Sequence, residues 1–389
     1  MTSRPRIMFY VQHLLGMGHV ARASRICAAL ADAGAEVTVV TGGLPLPNFP
    51  PAGLDHVALP PVTSANEGFV GLVDAEGRPV TEAFKAERAR RLVETFHRLR
   101  PDAVVTEAFP FGRRQLRFEL IPLIEAIAAA RPRPLLVSSV RDILQTQLKP
   151  GRVEEMAALA RDHFDAVLVH GDPAFVRFED TFPLHDQIAG KLRYTGLVAP
   201  PPVEPAADGR DVVVSAGGGA VGAALSMAAI EAAAELPDLR RWAVITGPNL
   251  PAPQAEALRA AAARRAPGQV EIIGFRPDFA SLLAASRLSV SQAGYNTACD
   301  LLQARVRAVL VPYAAGGETE QAFRAERMAA AGRAAVVTED ALSGPVLAAA
   351  IRAALAMPDP AASPLDLRGA QTTAQLLCDL IVSHQGQTA

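Results

Sequence analysis

The stretch Ser291-Gln-Ala-Gly-Tyr-Asn-Thr-Ala-Cys-Asp300 joins a glycine turn to an acid one to two helical turns later, and Glu320-Gln321 follows further on. The apolar run Arg287-Leu-Ser-Val290 predicts a strand entering the turn, and Gly294 opens a helix that carries Tyr295, Asn296, Thr297 and Asp300. Main-chain N–H groups at a helix start suit phosphate oxygens, and an acid on the next turn suits a ribose diol. The next predicted strand, Ala308 to Pro312, leads to Glu320 and Gln321 as a second polar cluster. The spacing describes a nucleotide-sugar pocket.

A second group lies near the N-terminus. Gly16-Met-Gly-His19 follows a predicted strand and opens a helix. Ligands of open α/β sheets bind at the carboxyl ends of strands, which makes His19 a candidate general base near neutral pH. Gly16 and Gly18 make the loop. Glu107 and Asp142, each just past a strand end, are the candidates to orient His19, and Arg113 would help hold a polar acceptor. His170 also follows a strand and reads as a satisfied structural histidine.

In the second half, Ser215-Ala-Gly-Gly-Gly219 places Gly218 and Gly219 where main-chain N–H groups approach a pyrophosphate. The turn is not a P-loop, because Gly-Lys-Ser/Thr is missing. Ile272 to Arg276 ends a strand, where main chain beside Phe275 and Arg276 would meet a nucleobase edge, although Phe275 also fits a core position. The second strand ends Val39-Val40-Thr41-Gly42-Gly43, with no acid for an adenosine ribose and no third glycine in the preceding loop. That excludes a nicotinamide or flavin site, and no cofactor is expected. No Asp-x-Asp, no metal-like cysteine spacing and no glycosidase-type carboxylate pair is present, so no metal site is expected either.

The elements that must position these residues alternate strand and helix. Strands are predicted at 7–11, 36–41, 102–106, 134–138 and 166–170, with a helix over 20–33 that Gly34 ends. The run Ala199 to Gly209 is rich in proline and small residues and reads as a linker. A second cycle of the same plan follows, with strands at 211–215 and 242–246, and apolar spacing over 372–384 predicts a closing helix. The segment Pro60 to Arg100 reads as a long acceptor loop. This gives an α/β chain with a first Rossmann-like domain at 1–198, a linker at 199–210, a second at 211–369 and a C-terminal helix at 370–389 that packs back on the first.

Bulk properties agree. The 389 residues exceed one ordinary core, and Lys+Arg 38 against Asp+Glu 40 is the balance of a globular enzyme rather than a nucleic-acid binder. Aromatics at 5% offer no stacking platform for single strands. Cys27, Cys299 and Cys378 lie far apart, which fits a reduced, cytoplasmic chain. No signal peptide or run of ~20 apolar residues stands out. Basic clusters at Arg88, Arg90 and Arg91 and at Arg113 and Arg114 leave room for peripheral contact with the inner face of a membrane.

Taken together, the residues resemble the GT-B glycosyltransferases of family 28, the branch containing the enzyme that adds N-acetylglucosamine to the lipid intermediate of peptidoglycan. The likeness spans nearly the whole chain and implies two Rossmann-like domains facing across a cleft. It implies that Gly294 is the diphosphate turn, that Phe275-Arg276 is the uracil-binding loop, and that Glu320 and Gln321 contact the donor sugar. Asp300 stands where the family carries Glu for the ribose, and Glu320 where it carries the first Gln. Tyr10 to His19 and Glu107 to Arg114 resemble an uncharacterised bacterial branch of these enzymes. Gly16, Gly18, His19 and Arg22 also resemble the Gly-x-Gly-His-x-x-Arg of UDP-sugar hydrolases. The implied activity is inverting, metal-independent transfer from a nucleotide-sugar, UDP being the expected nucleotide, to a hydroxyl acceptor. Hydrolysis of the donor, sugar-nucleotide epimerisation and an inactive GT-B partner are the competing readings.

Overall fold

The computed structural model describes residues 4–14, 18–64, 71–146, 149–215, 222–247, 250–314 and 317–388. The chain forms two compact units, one of Met1–Val198 with Leu365–Ala389 and one of Ala199–Pro364.

The first unit contains β1 (Arg6–Tyr10), α1 (Gly18–Asp32), β2 (Glu36–Thr41), β3 (Asp55–Ala58), β4 (Thr63–Ser64), β5 (Leu72–Val73) and α2 (Glu82–Leu99). It continues with β6 (Ala103–Glu107), α3 (Arg117–Ala129), β7 (Leu135–Arg141), α4 (Arg152–His163), β8 (Ala166–His170) and β9 (Leu192–Tyr194). Seven strands make one parallel sheet in the order β3-β2-β1-β6-β7-β8-β9, and β4 with β5 forms a separate antiparallel pair. Continuous apolar runs such as Ile7-Met-Phe-Tyr10 are buried along their length, as strands covered on both faces must be. Gly34, at φ +91°, lets the chain leave α1 in a left-handed turn.

Residues 82–99, read above as part of an acceptor loop, form the 18-residue helix α2. The Thr81 hydroxyl caps its start by accepting from Phe84 N at 3.2 Å. Leu92 and Phe96 pack inward against Leu120, Leu123 and Ile124 of α3. Arg88 is fully buried, with Nε 2.5 Å and Nη2 2.8 Å from the two oxygens of Glu119 on α3. Tyr10 donates to the same carboxylate, and Arg88 reaches the Gly42 and Pro60 carbonyls. Arg88 therefore belongs to the interior, while Arg90 and Arg91 pair with Glu87 and Glu94 on their own helix. Arg114 pairs with Glu155.

The second unit contains β10 (Val212–Ser215), α5 (Ala223–Ala234), β11 (Trp242–Ile245), α6 (Ala252–Arg265), β12 (Val270–Ile273) and α7 (Phe279–Ala284). After these come β13 (Leu288–Ser291), α8 (Tyr295–Ala304), β14 (Arg307–Leu310), α9 (Glu320–Ala330), β15 (Ala334–Val336) and α10 (Gly344–Ala356). Its parallel sheet runs β12-β11-β10-β13-β14-β15. Trp242, Val214 and Val290 pack with α5 and α10. Residues of the expected linker lie against this unit, with Ala206 N bonded to Ser281 O and Asp208 paired with Arg276.

The last helix, α11 (Gly369–Thr388), belongs to the first unit and packs on α1. Leu197 N donates to Asp366 O at 2.8 Å and Gly369 N to Leu197 O at 2.9 Å, so the departing and returning chain segments are bonded to each other. No helix of the described residues is long and apolar enough to cross a membrane.

Candidate active site

In the first unit, β1, β6, β7 and β8 are neighbours, and their carboxyl ends gather the polar residues. Glu107 closes β6 with its carboxylate fully enclosed. Its Oε1 lies 2.9 Å from His19 Nδ1 and also accepts from Arg22, one turn along α1. Its Oε2 accepts from Ser139 Oγ at 2.7 Å. Ser139 is the residue of β7 in register with Glu107. Burial alone would raise the Glu107 carboxyl, but the Arg22 guanidinium and the His19 hydrogen bond hold it well below the usual carboxylate range. It is ionised.

His19 sits just inside the start of α1 and keeps 19% of its side-chain surface open. Burial, with Arg113 acting in the same direction, lowers its pKa to about 3 against the opposing pull of Glu107. The ring is neutral at pH 7. A carboxylate can only accept, so Nδ1 carries the proton and Nε2 presents a lone pair. A neutral imidazole backed by an ionised acid can accept a proton at its bare nitrogen.

Behind the pair, Ser139 Oγ lies 2.8 Å from His170 Nε2, and His170 Nδ1 lies 2.9 Å from Thr195 Oγ1. His170 is fully buried, and burial with the Arg22 charge lowers its pKa to about 3. Ser139 and Arg22 join the site although neither stood among the residues singled out as catalytic. The registry of β6 on β7 brings Ser139 there, which no sequence spacing reveals.

The loop after Glu107 is pinned. The Phe109 carbonyl accepts from Thr106 Oγ1 at 2.9 Å and Ser138 Oγ at 2.8 Å, while Phe111 packs edge-on to Phe178 and Phe182. At its far end Arg113 adopts φ 58°. Among the described residues the Arg113 side chain makes no hydrogen bond or ion pair, and its Nε is buried without a partner. Burial lowers its pKa to about 10 against the opposing Glu107 charge. Asp142 is also buried, and its Oδ1 accepts from Ile143 N at 2.9 Å, within its own loop. Glu107, not Asp142, is the carboxylate hydrogen-bonded to His19. Gly18 opens α1, whereas Gly16 lies outside the described residues.

In the second unit Gly294 precedes α8 with φ −64°, a conformation open to any residue, and no side chain caps the helix. A Cβ added there would meet only Thr297 Oγ1, at 3.8 Å. The protein's own packing therefore does not demand glycine at this turn. Gln321 Oε1 accepts from Ala293 N at 3.0 Å and Tyr313 N at 3.1 Å, tying the turn after β13 to the loop after β14. Its amide nitrogen is the remaining donor end. Glu320 is 3% exposed and turned inward onto Arg324 at 2.8 Å, and Arg324 donates to Ala293 O at 3.1 Å and lies over the Tyr295 ring. The pair holds the turn from behind.

Asn296, Thr297 and Asp300 are half-buried on α8. Phe275 is 68% exposed and is not core. Arg276 is engaged by Asp208 and Asp278, which fixes the loop that carries Phe275. Gly218 and Gly219 lie outside the described residues. Among the described residues no three His, Cys, Asp or Glu side chains gather as metal ligands.

Residues 213–375 match the model of the glycosyltransferase family 28 C-terminal domain. Solved structures with the same fold include CalG4, the calicheamicin glycosyltransferase, at 18% identity and TM-score 0.62 over 100% of both chains. MurG from Acinetobacter baumannii aligns at 18% identity and TM-score 0.59 over 98% of this chain and 95% of its own. Glycosyltransferase VinC in complex with dTDP aligns at 15% identity and TM-score 0.58 over 98% of each chain. No curated protein matches the sequence. The fold is GT-B, with two Rossmann-like sheets.

Proposed function

We propose that this family 28-like glycosyltransferase moves a sugar from a UDP-sugar to an acceptor hydroxyl, with inversion at the anomeric carbon and without a divalent metal ion. The observation that carries the reading is the neutral His19 held by ionised Glu107. His19 Nε2 takes the acceptor hydroxyl proton as its oxygen attacks the anomeric carbon. The bond to the nucleotide breaks on the opposite face, so a single displacement inverts the centre. Glu107 stabilises the imidazolium as it forms.

Negative charge grows on the departing diphosphate, and the start of α8, which has no side-chain cap, turns the positive end of a helix toward it. Such stabilisation is what makes a metal ion dispensable in this reading. Asp300 holds a ribose hydroxyl, exposed Phe275 stacks on the base, and the Gln321 amide donates to the sugar. Glu320 acts at one remove, through Arg324 and the turn. Arg113, whose Nε is buried without a partner, serves the acceptor side.

Thermal stabilisation by UDP, dTDP and their sugar conjugates, with EDTA present, tests the donor site. A ligand at a hundredfold excess over its Kd adds ~2.7 kcal/mol, a shift of a few degrees. A shift with dTDP alone would move the reading to thymidine donors, and no shift with any nucleotide would sink it. His19→Ala should retain donor binding and lose transfer by roughly a hundredfold or more. Release of free sugar at one rate with and without acceptor would assign hydrolysis instead.

A further inference from the structure

The proton positions behind His19 follow from counting donors, and they give His170 a part in the reaction. Ionised Glu107 can only accept, so the single Ser139 hydroxyl proton goes to Glu107 Oε2. Ser139 Oγ must then accept across its 2.8 Å contact with His170, which puts a proton on His170 Nε2. A neutral His170 then has Nδ1 as an acceptor, 2.9 Å from Thr195 Oγ1, a hydroxyl that also has the Gly196 and Val169 carbonyls at 3.1 and 3.3 Å. Thr373, the other hydroxyl near Nδ1 at 3.5 Å, has its proton on Gly369 O at 2.6 Å. The chain therefore runs from His170 to Ser139 to Glu107, and His19 donates to the same carboxylate from the other side.

Resting on the reading of His19 as base, we infer that His170 is a positioning residue: held as the Nε2–H tautomer, it directs the Ser139 proton onto Glu107 Oε2 and so holds in place the carboxylate that orients His19. The opposite His170 tautomer would draw the Ser139 proton to itself and leave Glu107 Oε2 without that donor. The two histidines thus carry opposite tautomers on either side of one carboxylate.

Nitrogen-15 NMR of imidazole-labelled wild-type protein tests this without any substrate. The expected result is Nδ1–H for His19 and Nε2–H for His170; Nδ1–H on His170 would overturn the inference. In transfer assays, His170→Phe should lower kcat about tenfold, the order found when a histidine's outer partner is removed, with the donor KM within about twofold. His170→Gln, which keeps an N–H near Nε2, should recover most of the rate. Ser139→Ala should cost as much as His170→Phe, and combining them should add little. Wild-type kcat in folded His170→Phe, or fully multiplying losses, would also overturn it. An active His19→Ala variant would instead remove the base assignment itself. If His170→Phe does not fold, the wild-type tautomers decide.

Discussion

Two glycines show how residue-scale packing separates fold from ligand. Gly43 is enclosed: a Cβ there would sit 2.6 Å from the His13 main-chain oxygen. Gly43→Ala should destabilise the first unit by ~1–3 kcal/mol, measured by urea unfolding. Gly294 stands in open space, so Gly294→Ala should unfold like wild type but bind UDP or a UDP-sugar roughly ten- to a hundredfold more weakly by calorimetry, because the methyl group occupies the diphosphate's approach. The histidines set the pH response. His19 and His170 have folded pKa values depressed to about 3 from 6.5, so between those values the unfolded chain binds more protons and stability falls as pH drops. At pH 5 a histidine that charges only when unfolded costs about 2 kcal/mol. Unfolding at pH 5 and pH 7 should show about 4 kcal/mol of loss from the two together, and His170→Gln should remove about half of it. His19 and Glu107 were legible in the sequence because each follows a strand and a helix or loop turn. Ser139 was not, and His170 was legible only as a satisfied structural histidine, since only the registry of adjacent strands brings side chains 31 positions apart into contact.

At the scale of elements, α2 is held to α3 by a buried charge pair rather than by apolar packing alone. Glu119→Ala would strand Arg88 and the Tyr10 hydroxyl inside the core, and a loss of ~3–5 kcal/mol in urea unfolding is expected. Arg88→Met combined with Glu119→Leu should recover much of that, since the charge pair and its desolvation disappear together. The sequence carried marks of this helix: Thr81 before an acid, and Glu87 with Arg91 at helical spacing. Reading the segment as a loop gave too little weight to those pairs and to Leu92 and Phe96 one turn apart. The glycine turn into α8 was legible by contrast, because glycine, helix start and acid fall within one short stretch. The inward turn of Glu320 was hidden, although Arg324 four residues on is its natural partner.

For the molecule as a whole, alternation of strand and helix was enough to give two parallel α/β sheets. The order of strands within each sheet was not, because order depends on where each crossover lands. The two segments joining the units, around Leu197 and Asp366, are hydrogen-bonded neighbours in the first unit, and α11 buries Ala374, Leu377 and Ile381 there. The second unit is thus an insertion between two adjacent points of a host. Deleting residues 199–364 and joining the ends by a short glycine turn should leave a cooperatively folding first unit, since closing so short a gap costs little chain entropy. Circular dichroism and a single unfolding transition would check it, and a chain that does not fold would refute it. A host with such a doorway carries its second unit on one contiguous stretch of gene, so residues 199–364 can be removed or replaced without cutting the sheet that holds His19 and Glu107.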